Sequence, residues 1–303
     1  MLGASSLSQL TEMHEVQYTP TSAYCILEIE GFRIYVSPAL FDDSHSELQA
    51  LGAEALRALQ WQLYLVTRAV GDEPLAKLRL VPIWLELPSK ASLVAGAEYH
   101  WSREWLQENG RNPDKARSVE ITDVRGLLQS QSYLPTMLLH ELAHGYHDHV
   151  LGEHDSRIEL AYERCVGEEG SGGKYDEVLN ASGAKIRHYG ATNKFEFFAC
   201  ATAAYFVVND FYPFVRAEMA EYDPECHELM RTIWGGRREG LDFERGEARE
   251  ARATRTTLSV LQGPLLRRQG ARSSLQFGNT ACKPCTDGHC DGKSDCPGYR
   301  HAA

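Results

Sequence analysis

The spacing of apolar positions divides the chain into elements before any chemistry is considered. Ala23 to Val36 (AYCILEIEGFRIYV) alternates in two runs broken at Gly31, which predicts a β-hairpin. From Ser46 to Val70, Leu48, Leu51, Leu56, Leu59, Trp61, Leu63 and Leu65 recur without a proline, the pattern of a long amphipathic helix. Leu78 to Leu87 returns to strand character, and Pro82 within it predicts an edge or a bulge. Asn112, Pro113 and Asp114 mark a turn, and Ser118 to Thr122 (SVEIT) is a short strand. A second helix is predicted from Pro135, a residue suited to a first helical turn, through His149 to a stop at Gly152. Gly167 to Gly173 (GEEGSGG) reads as a flexible loop. Phe195 to Phe206 is apolar all round and predicts a buried helix, while Phe214 to Trp234 predicts a closing amphipathic one. Short strands mixed with helices imply an α+β fold.

Composition sharpens this picture in two places. A chain of 303 residues with 43% hydrophobic positions can bury a sizeable core, yet its apolar runs, such as Ala203 to Val208, are far shorter than the roughly 20 residues a membrane span needs. The first twenty residues lack a basic region followed by a continuous apolar one, so neither a secretory signal nor a membrane is expected, and the cytoplasm is the expected location. The net charge of -11 argues against a nucleic-acid partner. Charge is also uneven: residues 1 to 235 hold 34 acidic and 19 basic side chains, residues 236 to 303 hold 8 and 12. The expected organisation is a polar leader over 1–19, a catalytic-size domain over 20–235, a basic flexible linker over 236–281 and a Cys-rich tail over 282–303.

Within the second predicted helix stands His140-Glu141-Leu142-Ala143-His144, a HExxH motif. Residues four apart share a helix face, so both imidazoles can reach one ion, for which Zn²⁺ is the expected guest. Glu141 is turned about 100° from His140, off the metal but within reach of a water beside it, the place for a general base. Catalytic zinc takes three protein ligands, and His147 and Val150 do not complete a HExxHxxGxxH run. Glu196 is the candidate third ligand, because an acid on so apolar a helix is costly unless it binds metal or pairs with an arginine such as Arg187. Asp148, one turn past His144, could orient that imidazole or stand in solvent; His147 and His149 read as surface residues. Cys200, one turn from Glu196, is either a small buried hydrophobe or a thiolate able to bind the metal.

HELAHGYHD, YGATNKFEFFA and the Tyr205–Phe206 pair together resemble the HExxH zinc-dependent peptidase domains similar to the catalytic domain of anthrax lethal factor. The closest likeness is to a group of zincin-like proteins, and NPDKARSVEI at Asn112 to Ile121 and FYPFVRAEMAEYDP at Phe211 to Pro224 extend it to roughly residues 20 to 235. The resemblance implies a gluzincin-type zincin fold, with a small mixed sheet and an active-site HExxH helix. It also implies His140, His144 and Glu196 as zinc ligands, Glu141 as the base, and Tyr189 as a tyrosine that assists catalysis, although Tyr189 reads equally well as a packing residue. One position departs from the family pattern: Cys200 stands where a second acidic residue is usual.

In the tail, Cys282, Cys285, Cys290 and Cys296 have a spacing that a second, structural zinc or a pair of disulfides could use, or that an unstructured extension could carry; its expected role is binding a protein partner. The sequence thus predicts a zinc metalloendopeptidase acting on peptide or protein substrates, laid along an edge strand formed by Ser118 to Thr122. The rival is a catalytically silent metal-binding scaffold that acts through its surface or its Cys-rich tail. Glu141 discriminates between them, since a scaffold has no use for a carboxylate beside a metal-bound water.

Overall fold

The computed structural model describes residues 18–42, 44–88, 96–132, 134–166 and 172–235. Nearly all of the leader, most of the Gly167–Gly173 loop, the linker and the Cys-rich tail lie outside the described residues. The predicted hairpin forms as β1 (Cys25–Ile29) and β2 (Phe32–Val36), antiparallel in register from Cys25↔Val36 to Ile29↔Phe32. Its two-residue turn has φ 52° at Glu30 and 83° at Gly31, the paired positive angles that a tight hairpin of this hand requires. The long amphipathic pattern is α1 (Ser46–Ala69), which buries Leu56, Leu59, Leu63 and Val66 along one face. Asp72 and Glu73 in a first turn favour a helix ahead of the expected strand, so Leu78 closes α2 (Asp72–Leu78) and the strand contracts to β3 (Ile83–Leu85).

The five-stranded mixed sheet runs β1-β2-β3-β5-β4, with β4 at Ala97–His100 and β5 at Ser118–Ile121. Two expectations change here. Pro82 marks neither edge nor bulge: β3 lies inside the sheet, parallel to both β2 and β5. Pro82 precedes it and uses only its carbonyl, which accepts from Val119 N–H at 3.0 Å, so the missing N–H costs nothing. Nor is Ser118–Thr122 an edge. β5 is interior and β4 is the outer strand, antiparallel to it.

Between β4 and β5 come α3 (Arg103–Glu108) and the turn predicted at Asn112–Asp114, whose Asn112 side chain accepts from Asp114 N–H. After β5, α4 (Val124–Ser130) leads to α5 (Met137–Tyr146), which carries the HExxH segment. The Gln62 side chain of α1 accepts the Leu138 N–H at 3.0 Å and ties the start of α5 to α1. α5 ends in a π-helical turn, His147–Leu151, and Gly152 at φ 81° stops it where the sequence predicted. α6 (Ser156–Val166) and the small β6/β7 pair (Val178–Leu179, Lys185–Ile186) precede α7 (Lys194–Phe206), the predicted buried helix. The last pattern splits into α8 (Arg216–Tyr222) and α9 (Pro224–Trp234): Asp223 precedes a proline, which disfavours helical backbone there, and Pro224 then opens a new helix.

α5 packs against α7 on one side and β4 and β5 on the other, so the site is built where helix pair and sheet edge meet. Gly145 permits the approach to β4 and to the segment before β3, since a Cβ there would stand 3.3 Å from Tyr99 Cε2 and 2.8 Å from a Val81 methyl. The core runs from Ile29 to Trp234, with Trp234 stacked on Phe198 of α7. No helix among the described residues is long and apolar enough to cross a membrane.

A buried ion network braces the outer strand. Glu98 and Glu120 oppose each other across β4 and β5, a repulsive pair relieved by Arg111, whose guanidinium donates to both, at 2.5 and 2.6 Å. Lys115 bridges Glu120 to Glu86, and His100 donates to Glu120 at 2.6 Å. Burial alone would raise the Glu120 carboxyl, but the His100 hydrogen bond and the Lys115 and Arg111 charges outweigh it and hold the pKa at about 2. A depressed folded pKa stabilises above the unfolded value and loses that stability as pH falls. Melts in urea should therefore show stability intact near neutrality and falling below pH ~5 toward pH ~2, with Glu120 contributing on the order of 3 kcal/mol. Glu120→Gln should remove this part of the slope; an unchanged slope would show that Glu120 is not its source.

Candidate metal centre and cleft

α5 presents His140 and His144 on one face, and α7 brings Glu196 opposite them. Asn193 caps α7 by accepting from Phe195 N–H and Glu196 N–H at 2.9 Å, which fixes Glu196 in the first helical turn. Its Oε2 lies 2.9 Å from His140 Nε2 and 3.5 Å from His144 Nε2. Tetrahedral ligands at zinc distances of 2.0–2.1 Å stand ~3.3 Å apart, so these spacings bracket what a shared ion needs, and the donor chemistry of two imidazoles and a carboxylate fits zinc. Arg187 pairs with Asp176 instead, and the partners of Glu196 among the described residues are His140 and His144. Burial works against ionisation of Glu196, yet the His140 and His144 hydrogen bonds hold its carboxyl well below the usual range.

Glu141 also offers its carboxylate oxygen within 4.8 Å of the two histidine donors. Burial pushes its carboxyl up, against the opposing pull of His144 and His140. A second cluster, Glu98, His100 and Glu120, is as close-set, but its carboxylates are already taken by Arg111 and Lys115. That is an ion network and not a vacant donor set.

The remaining expected residues fall as follows. Tyr189 begins a short 3₁₀ turn before α7, its ring 6.2 Å from that of His140, half exposed, and burial pushes its hydroxyl up to about 12, so it stays a proton donor. Cys200 Sγ lies 3.9 Å from His140 Nδ1, the ring nitrogen other than the one that faces Glu196, and burial pushes its thiol up. It stands where a partner orienting the ring would stand. Asp148 does not orient His144: it accepts from Tyr99 and Arg117, while His144 Nδ1 is buried without a hydrogen bond among the described residues. His147 is not on the surface. It is wholly buried against Trp101, Phe195 and Phe198, and burial lowers it to about 4, which makes it a neutral packing ring. His149 is half-buried, with Nε2 3.3 Å from the Arg117 carbonyl. Cys282, Cys285, Cys290 and Cys296 lie outside the described residues.

His140, Glu141, His144, Tyr189 and Glu196 line a cleft of about 450 Å³ whose other wall is the outer strand, through Ala97, Glu98 and Tyr99, and continues into Trp101. Sequence reasoning missed Glu98, Trp101, Asp210 and Phe211 as cleft residues. Asp210 has a weak signal in hindsight, as an acid just after the apolar α7, and burial raises its carboxyl. No family model matches the sequence, and no curated protein or solved structure matches it either.

Proposed function

We propose that the chain is a zinc-dependent hydrolase of the zincin type, a metalloendopeptidase. The observation that carries this is the convergence of His140 Nε2, His144 Nε2 and Glu196 Oε2, with Glu141 beside them, in one cleft walled by a sheet edge. An active-site helix packed beneath a mixed sheet whose outer strand runs antiparallel to its neighbour supports the zincin-type arrangement. A zinc ion held by the three donors would supply Lewis-acid polarisation of the scissile carbonyl and of the attacking water. Glu141 accepts the proton of that water and returns it to the leaving amine. Tyr189, a neutral hydroxyl on the cleft wall, donates toward the developing oxyanion. A peptide lies extended along the outer edge of β4, which has no further strand beside it among the described residues, and the aromatic faces of Trp101 and Phe211 cover its side chains.

The test is a peptide library incubated with the full-length protein, read by mass spectrometry, with metal content measured on the same sample. Cleavage that stops with a chelator and returns with stoichiometric zinc is the expected result. Zinc bound in one equivalent without cleavage of any peptide would favour the scaffold reading.

A further inference from the structure

A cavity lined by basic and not acidic side chains among the described residues lies away from the metal centre, between the C-terminal half of α1, the end of α7 and the helices α8 and α9. Its volume is about 790 Å³, within the range of small-ligand sites. Arg68, Arg216 and His227 line it together with Tyr64, Tyr205 and Phe206, and no acidic residue lines it among the described residues. That is unusual for a region in which 34 acids outnumber 19 bases, and it contrasts with the metal cleft, which Glu98 and Asp210 line without any lysine or arginine.

The two guanidiniums are positioned but not neutralised. Arg68 lies over the Tyr64 ring at 4.9 Å and makes no ion pair among the described residues. Arg216 lies over the Tyr205 ring at 4.4 Å and donates from Nε to His227 Nε2 at 3.2 Å, which leaves its terminal nitrogens without a carboxylate among the described residues. Accepting at Nε2, a neutral His227 carries its proton on Nδ1, and burial together with Arg216 lowers its pKa and keeps it neutral. Tyr205 is itself only 1% exposed, and its hydroxyl has no hydrogen-bond partner among the described residues. Two guanidiniums thus sit on aromatic rings around one cavity with fork donors unspent among the described residues.

We propose that this cavity is a binding site for a small organic anion: a carboxylate or phosphate held by Arg68 and Arg216, on an aromatic or aliphatic body that packs against Tyr64 and Phe206. The apolar walls give the body its contact area, and the planar guanidiniums give the anionic group paired, charge-assisted hydrogen bonds. The site is independent of the metal-centre reading, because none of its residues reaches the cleft.

Calorimetric titration of the full-length protein with phenyl phosphate, benzoate and inorganic phosphate tests it. Phenyl phosphate or benzoate should bind in one equivalent and more tightly than inorganic phosphate. Arg68→Gln and Arg216→Gln should each weaken that binding at least about tenfold, as expected for the loss of one charge-assisted pair. Arg57→Gln, on the exposed side of α1 and outside the cavity, should leave it unchanged. Arg68 is exposed, so its variant reads the site even where Arg216→Gln disturbs the packing of Tyr205. Equal weakening in Arg57→Gln, or no saturable binding of either aromatic anion, would overturn the proposal. So would an acidic peptide that binds with the same arginine dependence while the small anions do not.

Discussion

His144→Ala should yield a folded protein that retains less than a tenth of the zinc held by the unaltered chain after dialysis. Of the three proposed ligands, His144 is the most enclosed, 6% exposed at the side chain, and its Nε2 faces Glu196 at 3.5 Å. Removing it leaves two donors where a stable zinc site needs three, while alanine keeps the helical propensity of α5. Glu196→Gln should act in the same direction, since an amide oxygen is a poor zinc donor, but it preserves the hydrogen-bonding shape of the α7 turn. The second readout is thermal. A ligand that binds only the folded state stabilises it by about 2.7 kcal/mol at a hundredfold excess over its dissociation constant, so zinc should raise the melting temperature of the unaltered chain and not that of His144→Ala. An unchanged zinc content in His144→Ala would place the metal elsewhere, and the tail cysteines Cys282 to Cys296 would be the next donors to replace.

The parts of the site legible in the sequence are those whose logic is local. HExxH is readable because four residues span about one helical turn, and α5 supplies that turn; Glu196 is readable because an acid among Phe195, Phe197 and Phe198 needs a reason to be there. What was not legible depends on partners distant in the chain. β4 is four residues, AEYH, with Glu98 and His100 on one side, so it shows no apolar alternation and its edge role passed to the more apolar β5. The polar side faces Arg111 and Glu120, a network that no local window contains. Likewise His147 reads as a surface residue by type, and only the arrival of Trp101 and Phe195 buries it. Asp148 sits one turn from His144 in sequence, but Tyr99 and Arg117 reach it first. The helix over 214–234 was readable as apolar periodicity, and its break at Asp223–Pro224 was a proline signal that the periodicity outweighed.

Glu141→Gln should keep one equivalent of zinc and lose turnover by roughly 10²–10⁴-fold, the size of a positioned general base. The substitution is nearly isosteric, so the packing of α5 against α7 and the approach of His140 and His144 to Glu196 are left in place. What changes is one property: a carboxylate accepts the proton of an attacking water and an amide does not. Zinc content and rate, measured on the same preparation, therefore separate a lost base from a lost metal, which His144→Ala alone cannot do. The position of Glu141 gives the expectation its force, since its carboxylate is buried in the cleft wall within 4.8 Å of both histidine donors and no lysine or arginine lines that cleft to neutralise it. A residue there with a purely structural role would tolerate the amide. Full activity with zinc retained would remove Glu141 from the mechanism and leave the hydrolase reading without a base, whereas zinc retained with activity lost, and activity restored in no variant but the carboxylate, would assign the proton transfer to this residue.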